Sequence, residues 1–329
     1  MKFWTFLAAG LAAASAAVAA PGAYRISERI PGPDGGWDFA RIDAVNNRLL
    51  VTRGISLMSL DLATRKVTGG LAAGERLHDA LPVNGSREIL VTYGNANAAR
   101  FVDGQTGATL ATVATGKNPD AVGQDPKSGL VLVMNHSGGD ITLIDPKAHA
   151  VAGTIIVGGD LEMAAFDGKG LAFVNVEDRN ETVAIDVAAA KVLRRIKLPG
   201  CDGPTGIAYH ARRRWLIASC DGSTTIVEAA SGKLVKSLKS GKEADGVGLD
   251  ERSETAFVAG RDGTLTVISL AGKAPTVAQV LKTEPDNRTL AVDPRDGRVY
   301  IPAARLAKAP GAARPTPVPG TFEVLVVSR

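Results

Sequence analysis

KNPDAVGQDPKSGLVLVMNHSGGDITLIDPKAHAVAGTIIVG, residues Lys117 to Gly158, decides the fold. It contains four short runs (PDAVGQD, GLVLVMN, DITLIDP and HAVAGTIIVG) separated by Gly, Asp, Asn, Pro and Ser. Valine, isoleucine and leucine with period-two polarity favour strands, and the breaks fall too close together for helices. Four strands in one such stretch make a small antiparallel sheet that cannot bury both of its faces alone. It needs copies of itself.

The rest of the chain supplies them. Asp38, Asp79, Asp120, Met163, Thr205, Asp245 and Arg288 precede or open successive first strands, at spacings of 41, 41, 43, 42, 40 and 43. The second-strand cores recur as LVTR (50–53), LVTY (90–93), LVMN (132–135), FVNV (173–176), LIAS (216–219), FVAG (257–260) and YIPA (300–303). Asp61, Asp103, Asp145, Asp186 and Glu228 each end a third strand before a turn. A period near 42 with four strands per unit predicts an all-β, seven-bladed β-propeller of four-stranded antiparallel blades. The blades are expected near 37–74, 75–116, 117–159, 160–201, 202–241, 242–284 and 285–329. The last unit lacks an outer strand, whereas Tyr24–Ile30 (YRISERI) is an orphan strand, so the N-terminal strand is expected to close the last blade.

The xVTN-type second strands, the PDAV run and the IDxxTxKV-like third strands resemble the YVTN-repeat propellers, in particular the bacterial YncE-like group. CDGPTGIAYHARRRWLIASC and the ending VPGTFEVLVVSR are similar to that group. The resemblance spans the chain after its leader. It implies a seven-bladed fold and export, and it implies little chemistry.

Lys2 followed by the apolar, alanine-rich Phe3–Ala17 has the shape of a cleaved signal peptide over residues 1–19, so a periplasmic or secreted protein is expected. Nothing later is long and apolar enough to span a membrane. The formal charge of +4 comes from 38 basic and 34 acidic residues, a mild excess for this length. The basic run Arg212–Arg214 reads as a solvated turn. Cys201 and Cys220, the only cysteines, fall on one rim of the fifth blade, and export permits a disulfide between them.

Propeller geometry sorts loops by face. Loops into first strands, and from second to third strands, share one face, here the top. The third-strand carboxylates fall on the opposite face, where they should accept turn N–H groups. The top funnel is expected to gather Trp37, Asp38, His78, Asp79, Asp120, Glu162, Asp245 and Arg288 from the loops into first strands. Arg53, Tyr93, Asn135, His136, Asn175, Arg261 and Arg305 should join them from the loops after second strands. Together they would form a polar, mixed-charge basin on the ring axis, the default place for a ligand. Leu306–Pro319 is expected to be a long irregular loop on the same face, with the shape of a partial lid.

No nucleophile elbow, P-loop, dinucleotide fingerprint, haem-attachment or HExxH motif is present. His78, His136, His149 and His210 are scattered, which argues against a histidine-based zinc site. The chain therefore reads as a monomeric, non-enzymatic module without a cofactor that binds an unknown small molecule, polymer or protein. Two alternatives stay open. One is a metal-dependent, lactonase-like hydrolase with Ca²⁺ or Mg²⁺ held by Asp38, Asn135, Glu162 and Asn175. The other is weak single-stranded nucleic-acid binding on Trp37, Tyr93 and neighbouring arginines.

Overall fold

Second strands such as Val131–Asn135 and Trp215–Cys220 are buried at every position, because both faces of each blade are covered. Successive side chains on a strand point to opposite faces. Val131 and Val133 accordingly pack toward the second blade, while Leu132 and Met134 pack toward the fourth. The computed structural model describes residues 22–308 and 315–329. The leader expected over residues 1–19 lies outside the described residues.

Seven four-stranded antiparallel blades surround one axis. Blade 1 comprises Ala40–Asp43, Arg48–Thr52, Gly54–Asp61 and the short outer strand Val67–Thr68. Blade 2 runs from Ala73 to Ala114, blade 3 from Pro119 to Ile156 and blade 4 from Leu161 to Lys197. Blade 5 runs from Ile207 to Lys239 and blade 6 from Gly246 to Lys282. Blades 1 and 2 are also joined by backbone pairing of Gly54 with Leu77 and Ser56 with Ala73.

Apolar side chains form seven clusters, each shared by two adjacent blades, so the core is a ring of slabs. The slab between blades 7 and 1 depends on the chain's beginning. Ala291–Val292, Val299–Ala303 and Glu323–Ser328 form the inner part of blade 7, and Arg25–Pro31 adds its outer strand against Glu323–Ser328. The side chain of Gln279 clasps both backbone groups of Tyr24, at 2.9 and 2.7 Å. Ile30, 4% exposed, enters the slab with Leu49, Met58 and Val324.

The third-strand carboxylates hold the lower turns. Asp61 accepts from the N–H groups of Ala63 and Thr64, Asp103 from Gln105 and Thr106, and Asp145 from Lys147 and Ala148. Cys201 and Cys220 are bonded to each other, with Cα atoms 5.3 Å apart, and tie the loop before blade 5 to its second strand. The segment Leu306–Pro319 is more regular than expected. Leu306–Ala307 and Thr316–Pro317 pair as a small antiparallel ladder, and Gly320 N–H donates to Asp34 at 2.6 Å. None of its described residues lines the axial basin.

Closure through Ile30 makes a testable demand. Ile30→Ala should cost about 2–5 kcal/mol in urea unfolding, as for other buried truncations. Arg29→Ala, which removes an exposed ion pair with Glu284, should cost under about 1 kcal/mol. Equal, small losses would show that the N-terminal strand does not lock the ring.

Candidate functional site

Hydrogen bonds between neighbouring first strands fix the register of the ring. Phe39 N–H donates to His78 C=O at 3.3 Å, and Gly246 N–H donates to Arg288 C=O at 2.7 Å. Thr52 Oγ1 donates to His78 C=O at 2.5 Å, Thr92 Oγ1 to Asp120 C=O at 2.7 Å and Asn175 Nδ2 to Thr205 C=O at 3.2 Å. These bonds align Asp38, His78, Asp120, Glu162, Thr205, Asp245 and Arg288 as one position per blade. All seven line a top-face cavity of about 740 Å³. A second tier lies just past the second strands. His136, Glu177, Asp221 and Arg261 each donate a backbone N–H to the loop leading into their own blade, and all four line the cavity.

The register corrects several expectations. Asp79 and Met163 each lie one residue past the ring position. Asp79 is fully buried below the basin, where Arg41 Nε and Nη2 donate to its carboxylate at 2.7 and 2.5 Å. Asn135 is buried inside blade 3 and donates to Asp140 and Thr142. Asn175 bridges blades 4 and 5 through the carbonyls of Thr205 and Gly206. Neither amide lines the cavity, and their NH2 groups are spent on backbone or strand partners, so the ligand set of Asp38, Asn135, Glu162 and Asn175 does not gather there. His136, one residue past Asn135, and Glu177, two residues past Asn175, face the cavity instead.

Four further residues turn away from the funnel. Trp37, 8% exposed, packs against Phe322 with ring centroids 5.5 Å apart. Arg53 donates to the carbonyls of Pro33, Gly35 and Gly36 and stacks 3.5 Å over the Phe322 ring, and burial pushes its pKa down to about 10. Tyr93, 1% exposed, lies under the Arg100 guanidinium. Arg305 joins the ladder segment through its backbone bonds with Thr321 and Val318. With Trp37 and Tyr93 buried, the aromatic platform expected for single-stranded nucleic acid is not formed.

The basin is acidic rather than balanced. Asp38, Asp120, Glu162, Glu177, Asp202, Asp221, Glu243 and Asp245 face Arg76, Arg261, Arg288, His78 and His136. Arg288 lies 3.2 Å from Asp245, and Arg261 lies 3.4 Å from Glu243, so blades 6 and 7 are largely neutralised. The wall made by blades 1 to 4 carries Asp38, Asp120, Glu162 and Glu177 together with both imidazoles. His78 and His136, both expected in the funnel, share this wall. His78 Nδ1 is 2.7 Å from Asp38 and 3.3 Å from Asp120, and His136 Nδ1 is 3.0 Å from Glu162. Two triads, Asp38–His78–Asp120 and Asp120–His136–Glu162, have the spacing to hold metal ions. Glycine at 94 makes room for one of them, because a Cβ there would sit 2.7 Å from His78 Nε2.

Crowded carboxylates out of water resist ionisation. Burial, with help from Asp38, raises Asp120 to about 7. Burial raises Glu162 to about 8, and burial raises Asp245 to about 6. The Glu162 hydrogen bond raises His136 to about 9. Burial opposes the His78 imidazolium, but Asp38 and Asp120 outweigh it and its pKa is raised.

No protein-family profile matches the chain, and no curated protein matches it. Solved structures do. The chain is similar to hydrazine synthase of Kuenenia stuttgartiensis, with a TM-score of 0.71 and 14% identity over 83% of this chain and 92% of that one. It is also similar to a chain of a mitotic checkpoint complex, with a TM-score of 0.74 and 13% identity over 95% and 98% of the two chains. At this identity the likeness is one of fold, and the fold is a β-propeller.

The raised groups give stability an unusual pH slope. Each binds its proton more tightly folded than unfolded, so its contribution is complete below its unfolded pKa and is lost as pH rises through the folded value. In chelator-containing buffer the melting temperature should therefore fall between about pH 5 and pH 9. Glu162→Gln should flatten that fall. A melting temperature that rises across this range would contradict the crowding described here.

Proposed function

We propose that the chain is an exported, YVTN-repeat-like binding propeller whose top-face basin takes a cationic ligand. The observation that carries this is the lining of the cavity, eight carboxylates against three arginines and two histidines in a chain whose overall formal charge is +4. A concave, like-charged wall focuses its field and draws counter-ions to one place. Of the seven ring residues, His78, Asp120 and Glu162 stand on first strands, and Asp38, Thr205, Asp245 and Arg288 lie in the short approaches to theirs, where Asp38, Thr205 and Arg288 are pinned by backbone hydrogen bonds.

Export is supported by the leader-like residues 1–19 and by the Cys201–Cys220 bond, which suits an oxidising compartment. Among the described residues, no helix is long and apolar enough to cross a membrane. The likeness to a chain of a mitotic checkpoint complex supports a generic interaction scaffold, and a partner would meet this basin with a basic group. Phosphate backbones carry the wrong sign for it. The hydrolase reading draws support from the two His–carboxylate triads, which bear first on an ion and only then on a reaction.

Thermal unfolding separates these readings. Spermidine should raise the melting temperature, by the equivalent of about 2.7 kcal/mol at a hundredfold excess over Kd. Asp245→Asn combined with Glu177→Gln should weaken that effect several-fold, and citrate or an oligodeoxythymidine should have none. Stabilisation by citrate or the oligonucleotide but not by spermidine would overturn the proposal.

A further inference from the structure

The two triads meet at one residue. Asp120 stands between an Asp38–His78 pair on blades 1 and 2 and a His136–Glu162 pair on blades 3 and 4. Within each triad the candidate donor atoms lie within 4.8 Å of one another. A metal ion about 2.0–2.2 Å from each donor closes such a gap with small side-chain shifts. Asp120 Oδ1 is shut off from solvent and accepts no hydrogen bond among the described residues. Its near neighbour is His78 Nδ1, 3.3 Å away and already bonded to Asp38; a buried carboxylate oxygen so poorly satisfied is costly, and a cation would remove the cost.

We propose that these five residues hold a carboxylate-bridged pair of divalent transition-metal ions. Asp38 and His78 bind one ion, His136 and Glu162 bind the other, and Asp120 bridges them. This rests on the reading of the basin as a site for cationic ligands and names the ligand. Imidazole with carboxylate selects Zn²⁺, Mn²⁺ or Fe²⁺ over Ca²⁺ and Mg²⁺, which favour all-oxygen sets. Carboxylate-bridged ions stand about 3.5–4 Å apart, a spacing that lets both contact one ligand oxygen. The open positions on each ion face the cavity, which Glu177 and Asp202 also line.

Arg76 sets the competition for this site. Its Nε donates to His78 Nε2 at 3.1 Å, which places the proton of the neutral ring on Nδ1, the atom aimed at Asp38 and Asp120. Metal binding at Nδ1 moves that proton to Nε2 and breaks the bond to Arg76. Arg76 is exposed and free to swing away. Losing it removes both a competing donor and a positive charge from the rim.

The test is calorimetric titration of the chelator-stripped, full exported chain with ZnCl₂, MnCl₂, CaCl₂ and MgCl₂, with metal counted by mass spectrometry after equilibrium dialysis. Two Zn²⁺ or Mn²⁺ ions per chain are expected, bound at least about a hundredfold more tightly than Ca²⁺ or Mg²⁺. His136→Gln and His78→Gln should each lower the count from two to one. Asp120→Asn should weaken both sites by more than about tenfold. Arg76→Ala should tighten binding, an effect that general destabilisation cannot mimic. One ion or none in the wild type, or a count unmoved by Asp120→Asn and His136→Gln, overturns the pair. Spermidine binding without transition-metal binding sinks the metal pair and leaves the cation reading standing. Failure of both sinks both.

Discussion

A four-stranded sheet with two apolar faces cannot rest until both are covered, and everything else here follows from that constraint. Each blade covers its neighbours, and the chain of coverings has to close on itself. Seven interblade slabs result, and the last is completed by Ile30 from the N-terminal strand. Packing of this kind fixes each blade's first strand against the axis to within a hydrogen bond, because a slip by one residue would turn its apolar set outward. The ring of first-strand side chains is therefore a product of core packing. Its chemistry is free to vary because the backbone bonds, not the ring side chains, hold the register.

This explains what could be read from the residues and what could not. The period near 42 and the orphan strand Tyr24–Ile30 announce the architecture directly, since strand spacing and closure are properties of the pattern itself. The place of the basin was equally legible. The register was not. In blades 2, 3 and 4 the first strands carry irregular pairing near their top ends, between Leu77 and Ala80, Pro119 and Val122, and Leu161 and Ala164. An Asp-to-Asp spacing cannot see such a bulge. It anchored the repeat on Asp79 and Met163, one residue past His78 and Glu162, and so counted the buried Asp79 into the funnel beside His78.

The second-strand ends misled for a different reason. Asn135 and Asn175 look like rim residues because they are polar and lie at the ends of second strands, yet both are buried, Asn135 bonded within its own blade and Asn175 to carbonyls of the next. A buried polar side chain at a repeated position usually answers a backbone need. The signal that would have found Glu177 and Asp221 was the tier of His136 and Arg261, taken blade by blade in a single register. Arg76 sits at a left-handed position within the long first strand of blade 2, Asp202 and Glu243 come from loops, and no repeat marks the three.

The electrostatics give the basin its character. A weakly basic chain lines one basin with eight carboxylates, four on blades 1 to 4 and four on blades 5 and 6, and spends Arg261 on Glu243 and Arg288 on Asp245. Crowding and burial favour the protonated forms of Asp120 and Glu162, where a bound cation would favour the ionised ones. Diffraction from crystals soaked in MnCl₂, collected above the manganese absorption edge, tests the account most directly. It predicts two anomalous peaks flanking Asp120, one toward Asp38 and His78 and one toward His136 and Glu162. A basin without peaks, or peaks only beside Arg261 and Arg288, would contradict it.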